Sequence, residues 1–149
     1  MGKEEDLSSS PSNKPVILIL GGSQGAQRIN DKILEMLPRL LENFEIIHQC
    51  GENNYKTIKA ESEVIINKDL GGFYHLRPFL KEAELRQAYS AADLIISRAG
   101  SGSIFEIAAV GKPSILVPLP EAAQNHQIKN AYTYQEAGAC LVIEENNFT

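Results

Sequence analysis

The sequence predicts an α/β domain in three layers, α/β/α, around a mostly parallel sheet, and three observations carry that prediction. Apolar runs of strand length alternate with stretches of helical periodicity, the arrangement that builds right-handed βαβ units. Runs such as Val16-Ile17-Leu18-Ile19-Leu20 are continuously apolar rather than alternating, which suits strands covered on both faces. Glycine-rich turns interrupt the pattern, and in an open sheet of this kind each is expected beyond the carboxyl end of a strand, where ligands bind. With 149 residues, 43% of them hydrophobic, the chain is long enough for one domain with its own core and too short for two.

Residues 1–14 are polar, with Glu4-Glu5-Asp6 followed by a serine-rich stretch, and they bury too little surface to order themselves. They read as a tail or linker, and the domain spans residues 15–149. Val16 to Leu20 is its first strand and Gly21 to Ala26 the glycine turn, with Ile29, Ile33, Leu34, Leu37, Leu40 and Leu41 recurring behind it at helical spacing. Pro38 falls late in that helix, as a kink or an early end. Phe44 to Gln49 predicts a second strand, closed by Cys50-Gly51, and Asn53 to Ala60 a short polar helix. From Glu63 to Gly72 two readings stay open, since Val64-Ile65-Ile66 either ends that helix or forms a strand. Beyond it the pattern predicts strands over Phe73 to Phe79, Leu94 to Ser97, Ser114 to Val117 and Cys140 to Ile143. The helices between them run over Glu82 to Ala91, Ser103 to Val110 and Asn125 to Glu136.

A formal net charge of −5 with scattered basic residues argues against a nucleic-acid partner, because clustered Lys and Arg drive that binding. Cys50 and Cys140 are too few for a disulfide scaffold, and each borders an apolar run, so both read as reduced core residues. No apolar stretch approaches the roughly 18 residues of a membrane span, and no signal-peptide pattern is present, so a cytoplasmic location is expected.

Candidate chemistry concentrates at Ser97-Arg98-Ala99-Gly100-Ser101-Gly102-Ser103-Ile104-Phe105-Glu106, a strand, glycine turn and helix start with an acid just beyond. Such a turn offers unpaired N–H groups and a positive helix end to a phosphate, and the acid can accept hydrogen bonds from sugar hydroxyls. An ordinary strand-to-helix turn with a solvated acid would look the same. The dinucleotide fingerprint fails, because Ser23 occupies the place of its second glycine after Gly21, and His48-Gln49-Cys50 stands where a ribose-binding acid belongs. A P-loop fails too, since Gly111-Lys112 is followed by Pro113 and Glu106 stands in place of its first glycine. Ser23 lies in a G-x-S-x-G pattern, but that elbow would follow the first strand and need an acid and a histidine from later loops. His48, His75 and His126 are far apart and no acid pair is spaced for a cation, so no metal or other cofactor is implied. His48 and His75 read as structural. The Pro118-Leu119-Pro120 loop and Gln124-Asn125-His126-Gln127 cluster uncharged donors and acceptors suited to sugar hydroxyls, or to capping the helix that starts there.

Four segments then fall in a recognisable order. They are Gly21-Gly22-Ser23-Gln24-Gly25-Ala26; Arg98 to Ser103 with Glu106-Ile107-Ala108-Ala109; Gly111-Lys112-Pro113 with Val117-Pro118; and His126-Gln127 with Asn130-Ala131. In these the chain resembles the GT-B glycosyltransferases of the undecaprenyl-pyrophosphoryl-MurNAc-pentapeptide N-acetylglucosaminyltransferase (MurG) family, within glycosyltransferase family 28. The resemblance covers Pro15 to the C-terminus. It implies a Rossmann-like domain, one half of a GT-B fold, that holds UDP-N-acetylglucosamine (UDP-GlcNAc) and lacks the family's last helices. It also implies that the amides around Gly102 and Ser103 meet the diphosphate, that Glu106 binds the uridine ribose, and that Gln127, with His126 beside it, faces the sugar. Ser23 would lie near the phosphates, and the main chain at Phe79 and Leu80 would read the uracil edge. No contact is implied for Arg98. The family's acceptor lipid I and its catalytic base belong to an N-terminal domain or partner subunit outside this chain, so no catalytic residue is expected here. The complete enzyme would sit peripherally on the cytoplasmic face of the cell membrane and make lipid II. A stand-alone donor subunit of a split transferase and a non-catalytic nucleotide-binding module are the rival readings.

Overall fold

Val16–Leu20 form β1, buried along its whole length as its unbroken apolar sequence requires. The computed structural model describes residues 13–21, 27–119, 125–138 and 140–147. After β1 come α1 (Gln27–Asn43), β2 (Glu45–Gln49), α2 (Tyr55–Ile65), β3 (Tyr74–Arg77), α3 (Glu82–Ala91), β4 (Leu94–Ser97), α4 (Ser101–Val110), β5 (Ser114–Leu116), α5 (Asn125–Glu136) and β6 (Cys140–Val142). The strands make one sheet in the order β3-β2-β1-β4-β5-β6. Every pairing in it is parallel.

Alternate residues of each central strand feed two cores. Val16, Leu18, Leu20, Ile47, Ile95 and Leu116 pack with Ala88 and Tyr89 of α3, Ile107 of α4 and Ala131 of α5. Ile17, Ile19, Ile46 and Ile96 point the other way, against Ile29, Ile33, Leu34, Leu37 and Leu41 of α1 and Ile58 of α2. Two helices therefore cover one face and three the other. The strand order reverses between β1 and β4, the switch point where an open sheet leaves a crevice beyond its carboxyl ends.

A polar network stiffens the α1 side of this arrangement. Asn30 Nδ2 donates to the Cys50 carbonyl at 3.0 Å, so its Oδ1 faces His48 Nε2 at 2.8 Å, and His48 Nδ1 lies 2.8 Å from the Tyr74 hydroxyl. Burial lowers the His48 pKa to about 3, so the ring is neutral, its Nε2–H donates to Asn30, and Nδ1 accepts from Tyr74. The folded state therefore binds one proton fewer than the unfolded chain between pH 6.5 and about pH 3. Stability falls as pH drops through that window, by about 1.4 kcal/mol per unit for one proton. Lowering the pH from 7 to 5 should remove about 2 kcal/mol in urea titrations, and His48→Asn should remove most of that pH dependence.

Most predicted elements are present, and the differences have physical reasons. Pro38 sits inside α1, which runs on to Asn43, so the early end is ruled out; Leu37 and Leu41 on either side are fully buried and hold that turn in place. α2 absorbs Val64 and Ile65, so no strand forms there. β3 is shorter than predicted because Gly71–Phe73 form a 3-10 turn before it and Pro78 follows it. Gly71-Gly72 therefore lie at the amino end of a strand, against the expectation that every glycine-rich segment follows one. Cys50 is fully buried and burial pushes its thiol up to about 11, whereas Cys140, on the edge strand, is only half-buried. His75 lies 2.7 Å from Glu45, a contact between neighbouring strands that fits its structural role.

Candidate nucleotide site

β4 ends at Ser97, and the chain turns through Arg98-Ala99-Gly100 into α4 two residues earlier than the sequence pattern suggested. Gly100 is the N-cap, with no side-chain cap, and the first intrahelical bond runs from the Ile104 N–H to the Gly100 carbonyl at 3.0 Å. The N–H groups of Gly100, Ser101, Gly102 and Ser103 therefore precede the helical ladder and carry the positive end of the helix dipole. Among the described residues, and leaving aside the helix's own backbone, a Cβ on Gly102 would meet no atom within 4 Å. Gly111, at φ 66°, closes the helix in the left-handed region.

Glu106 projects from the exposed side of α4, where Oε2 accepts the Tyr89 hydroxyl at 3.0 Å. Tyr89 is buried in α3, and burial, together with the carboxylate it donates to, raises its pKa. The carboxylate is thus held through one oxygen by α3, on a residue that is exposed overall. Tyr89 carries no motif in the sequence; the only hint is that a tyrosine on the apolar side of a helix needs a partner for its hydroxyl.

Gln127, in the first turn of α5, accepts the Leu119 N–H through Oε1 at 3.0 Å, and its Nε2 lies 4.0 Å from where a Gly100 Cβ would sit. It therefore holds the exit of β5 and lies beside the start of α4. His126 beside it is exposed. On the far side of the switch point, the Leu80 side chain is buried in the α3 core and only its main chain is available to a ligand. The Leu80 N–H is engaged by Gln49 Oε1 at 2.9 Å, a partnership the sequence pattern does not announce. Ser23 and the rest of its turn, residues 22–26, lie outside the described residues.

Arg98 turns inward, although it stands beside the loop that would hold phosphate. Its Nη2 donates to Glu145 Oε1 at 2.8 Å, and its Nη1 lies 3.3 Å from the Val117 carbonyl and 3.5 Å from that of Pro118. Leu80, Gly102, Ser103, Glu106, His126 and Gln127 all lie on elements that leave or follow the carboxyl ends of β3, β4 and β5. An anionic group at α4, a hydroxylated group at Glu106 and a polar group at Gln127 can therefore be met along one rim.

A family model described as "Glycosyltransferase family 28 C-terminal domain" matches residues 16–149. A protein of Lachnoclostridium phytofermentans named UDP-N-acetylglucosamine--N-acetylmuramyl-(pentapeptide) pyrophosphoryl-undecaprenol N-acetylglucosamine transferase is 39% identical over 141 residues. That match takes in 94% of this chain and 37% of the relative, so the chain spans little more than a third of the relative's length. The crystal structure of Acinetobacter baumannii MurG superposes with a TM-score of 0.77 at 32% identity, covering 97% of this chain and 40% of that one. The solution structure of ALG13 shares the fold, with a TM-score of 0.63 at 21% identity over 91% of this chain and 81% of that chain.

Proposed function

The chain belongs to the family of glycosyltransferase family 28 C-terminal domains, and from that premise we propose that it is the UDP-GlcNAc-binding half of an inverting N-acetylglucosaminyltransferase. The complete enzyme would transfer N-acetylglucosamine to the C4 hydroxyl of the muramyl group of lipid I, giving lipid II at the cytoplasmic face of the membrane. The observation that carries the reading is the start of α4 at the switch point, with no side-chain cap, and Glu106 further along α4 held by Tyr89 of α3.

In this reading the N–H groups of Gly102 and Ser103 meet the diphosphate and stabilise the negative charge that builds on departing UDP. Glu106 accepts hydrogen bonds from the ribose hydroxyls, and Gln127 with His126 faces the sugar. Ser23 approaches the phosphates from the first glycine turn. Reading of the uracil edge by the Leu80 N–H requires the Gln49 carboxamide to give way, since it engages that group in the unliganded protein. The base that activates the acceptor hydroxyl comes from the acceptor-binding domain, outside these 149 residues. The chain by itself is then a binding domain that transfers nothing. Among the described residues no helix is long and apolar enough to cross a membrane.

Calorimetric titration with UDP-GlcNAc, UDP-glucose, UDP and NADH tests the reading. Binding of the uridine nucleotides, with UDP-GlcNAc strongest and NADH silent, is the expected result. A chain that binds no uridine nucleotide at millimolar concentration overturns it.

A further inference from the structure

Glu145 lies beyond β6, in a short 3-10 turn formed by Glu145–Asn147, and no motif points to it. Its two carboxylate oxygens take guanidinium groups from two different places, the turn after β4 and the first turn of α1. Oε1 accepts Arg98 Nη2 at 2.8 Å, and Oε2 accepts Arg28 Nη1 at 2.9 Å. We infer that Glu145 is a positioning residue for the donor site, joining the exits of β4 and β5 and the start of α1 so that Gln127 and the α4 amides keep one geometry. This rests on the donor-site reading above.

The two arms are unequal. The side chains of Arg98 and Glu145 are each only 6% exposed, whereas that of Arg28 is 62% exposed. Surface pairs contribute little and are screened, so the Arg28 arm is the weaker one. A buried pair is costly to desolvate, and removing one partner leaves an uncompensated charge, so the Arg98 arm has the larger consequence. Arg98 also spans two groups at once: the nitrogen next to the one on Glu145 approaches the carbonyls of Val117 and Pro118, where β5 ends.

From there the contacts run on into the site. Val117 and Pro118 lead directly to Leu119, whose N–H is held by Gln127, and the other end of that carboxamide faces Gly100 at the start of α4. The contacts therefore run as a chain from Arg98 through the β5 exit and Leu119 to Gln127, whose Nε2 lies beside Gly100, two residues on from Arg98. Glu145 balances the one buried cation among these contacts and anchors them to the strand edge at β6. A neutral side chain at 145 leaves the Arg98 guanidinium without its carboxylate and releases the β5 exit on which Gln127 rests.

The readout is the sugar preference, meaning the dissociation constant for UDP divided by that for UDP-GlcNAc, measured where circular dichroism shows every variant folded. Glu145→Gln should lower this ratio roughly three- to tenfold, the worth of one or two hydrogen bonds to the sugar. Glu145→Asp, which keeps the charge, should recover most of it. In a Gln127→Ala background, Glu145→Gln should lower the ratio no further, because both act on the same contact. Should Glu145→Gln fail to fold, Arg98→Lys keeps the positive charge but cannot span the carboxylate and the β5 carbonyls together, and should show the same loss. A lowered melting temperature with an unchanged sugar preference overturns the positioning role, as does full additivity with Gln127→Ala. A wild-type chain that binds UDP and UDP-GlcNAc equally overturns it as well. A wild-type chain that binds no uridine nucleotide overturns the donor reading itself, and the positioning role with it.

Discussion

Leu18→Ala is expected to lose 2–5 kcal/mol of folding stability by urea titration, about the cost of removing a fully buried leucine side chain from a packed core. Leu18 is wholly buried at the centre of β1, between Ile47 of β2 and Ile95 of β4. Its neighbours in the core include Ala88, Tyr89, Ile107 and Leu116, drawn from α3, α4 and β5. These come from separate elements locked by the parallel ladder, so the space left by the side chain cannot collapse cheaply. Domains of this size keep only about 5–15 kcal/mol in total, so the loss is a large fraction. Leu18→Ile, which preserves volume, should cost less than about 1.5 kcal/mol. A Leu18→Ala chain within 1 kcal/mol of wild type would mean that this core is looser than its burial indicates.

Glu106→Ala should weaken UDP binding by about 1–3 kcal/mol, roughly five- to 150-fold, if Glu106 makes charge-assisted bonds to the ribose. The side chain is exposed, so stability should fall only by the lost Tyr89 hydrogen bond, about 1 kcal/mol, and a conservative Tyr89→Phe control carries that same stability loss without removing the carboxylate. Comparing the two separates a ligand contact from a structural one. Tyr89→Phe removes the hydroxyl that holds one carboxylate oxygen and should reproduce a smaller part of the loss, roughly threefold. In the Glu106→Ala background the same tyrosine substitution should have no effect on affinity. Unchanged UDP affinity in Glu106→Ala would remove Glu106 from the site.

Much of the fold was legible because burial on both faces of a parallel sheet leaves an unbroken apolar run in the chain. Val16–Leu20, Leu94–Ser97 and the helix Glu82–Ala91 fall where the pattern placed them. The pattern left Val64 and Ile65 open between helix and strand, because they are apolar yet 84% and 40% exposed at the end of α2, so their hydrophobicity carries no information about a buried face. Nor did hydrophobicity locate the start of α4, because Ser101 and Gly102 are polar or small and join the helix through backbone geometry alone.

The candidate site divides in the same way. Gly102, Ser103, Glu106 and Gln127 announce themselves through local spacing, since a glycine turn and a helix start are short-range features. Their partners do not. Tyr89 is 17 residues from Glu106, and Glu145 is 47 residues from Arg98, and only the sheet order brings each pair together. Arg98 stands beside the glycine turn with no contact implied for it by the sequence, and its burial against Glu145 becomes visible only when β6 is laid beside β5.

The pairing of β1 with β4 also governs when the site comes into existence. β1, β2 and β3 lie side by side in the sheet, and so do β4, β5 and β6, and the two sets join where β1 pairs with β4, a seam that begins where Val16 and Asp93 bond across 77 residues of chain. The Val16 N–H donates to the Asp93 carboxylate at 2.9 Å and the Asp93 N–H to the Val16 carbonyl at 2.8 Å, a two-way clasp at the amino end of the seam. Contacts this distant in sequence are slow to form, because the loop must close before any bond rewards it. A chain caught with either half zipped has regular structure but no crevice. Under the proposed donor reading, nucleotide affinity should therefore report completed folding more faithfully than helix content does.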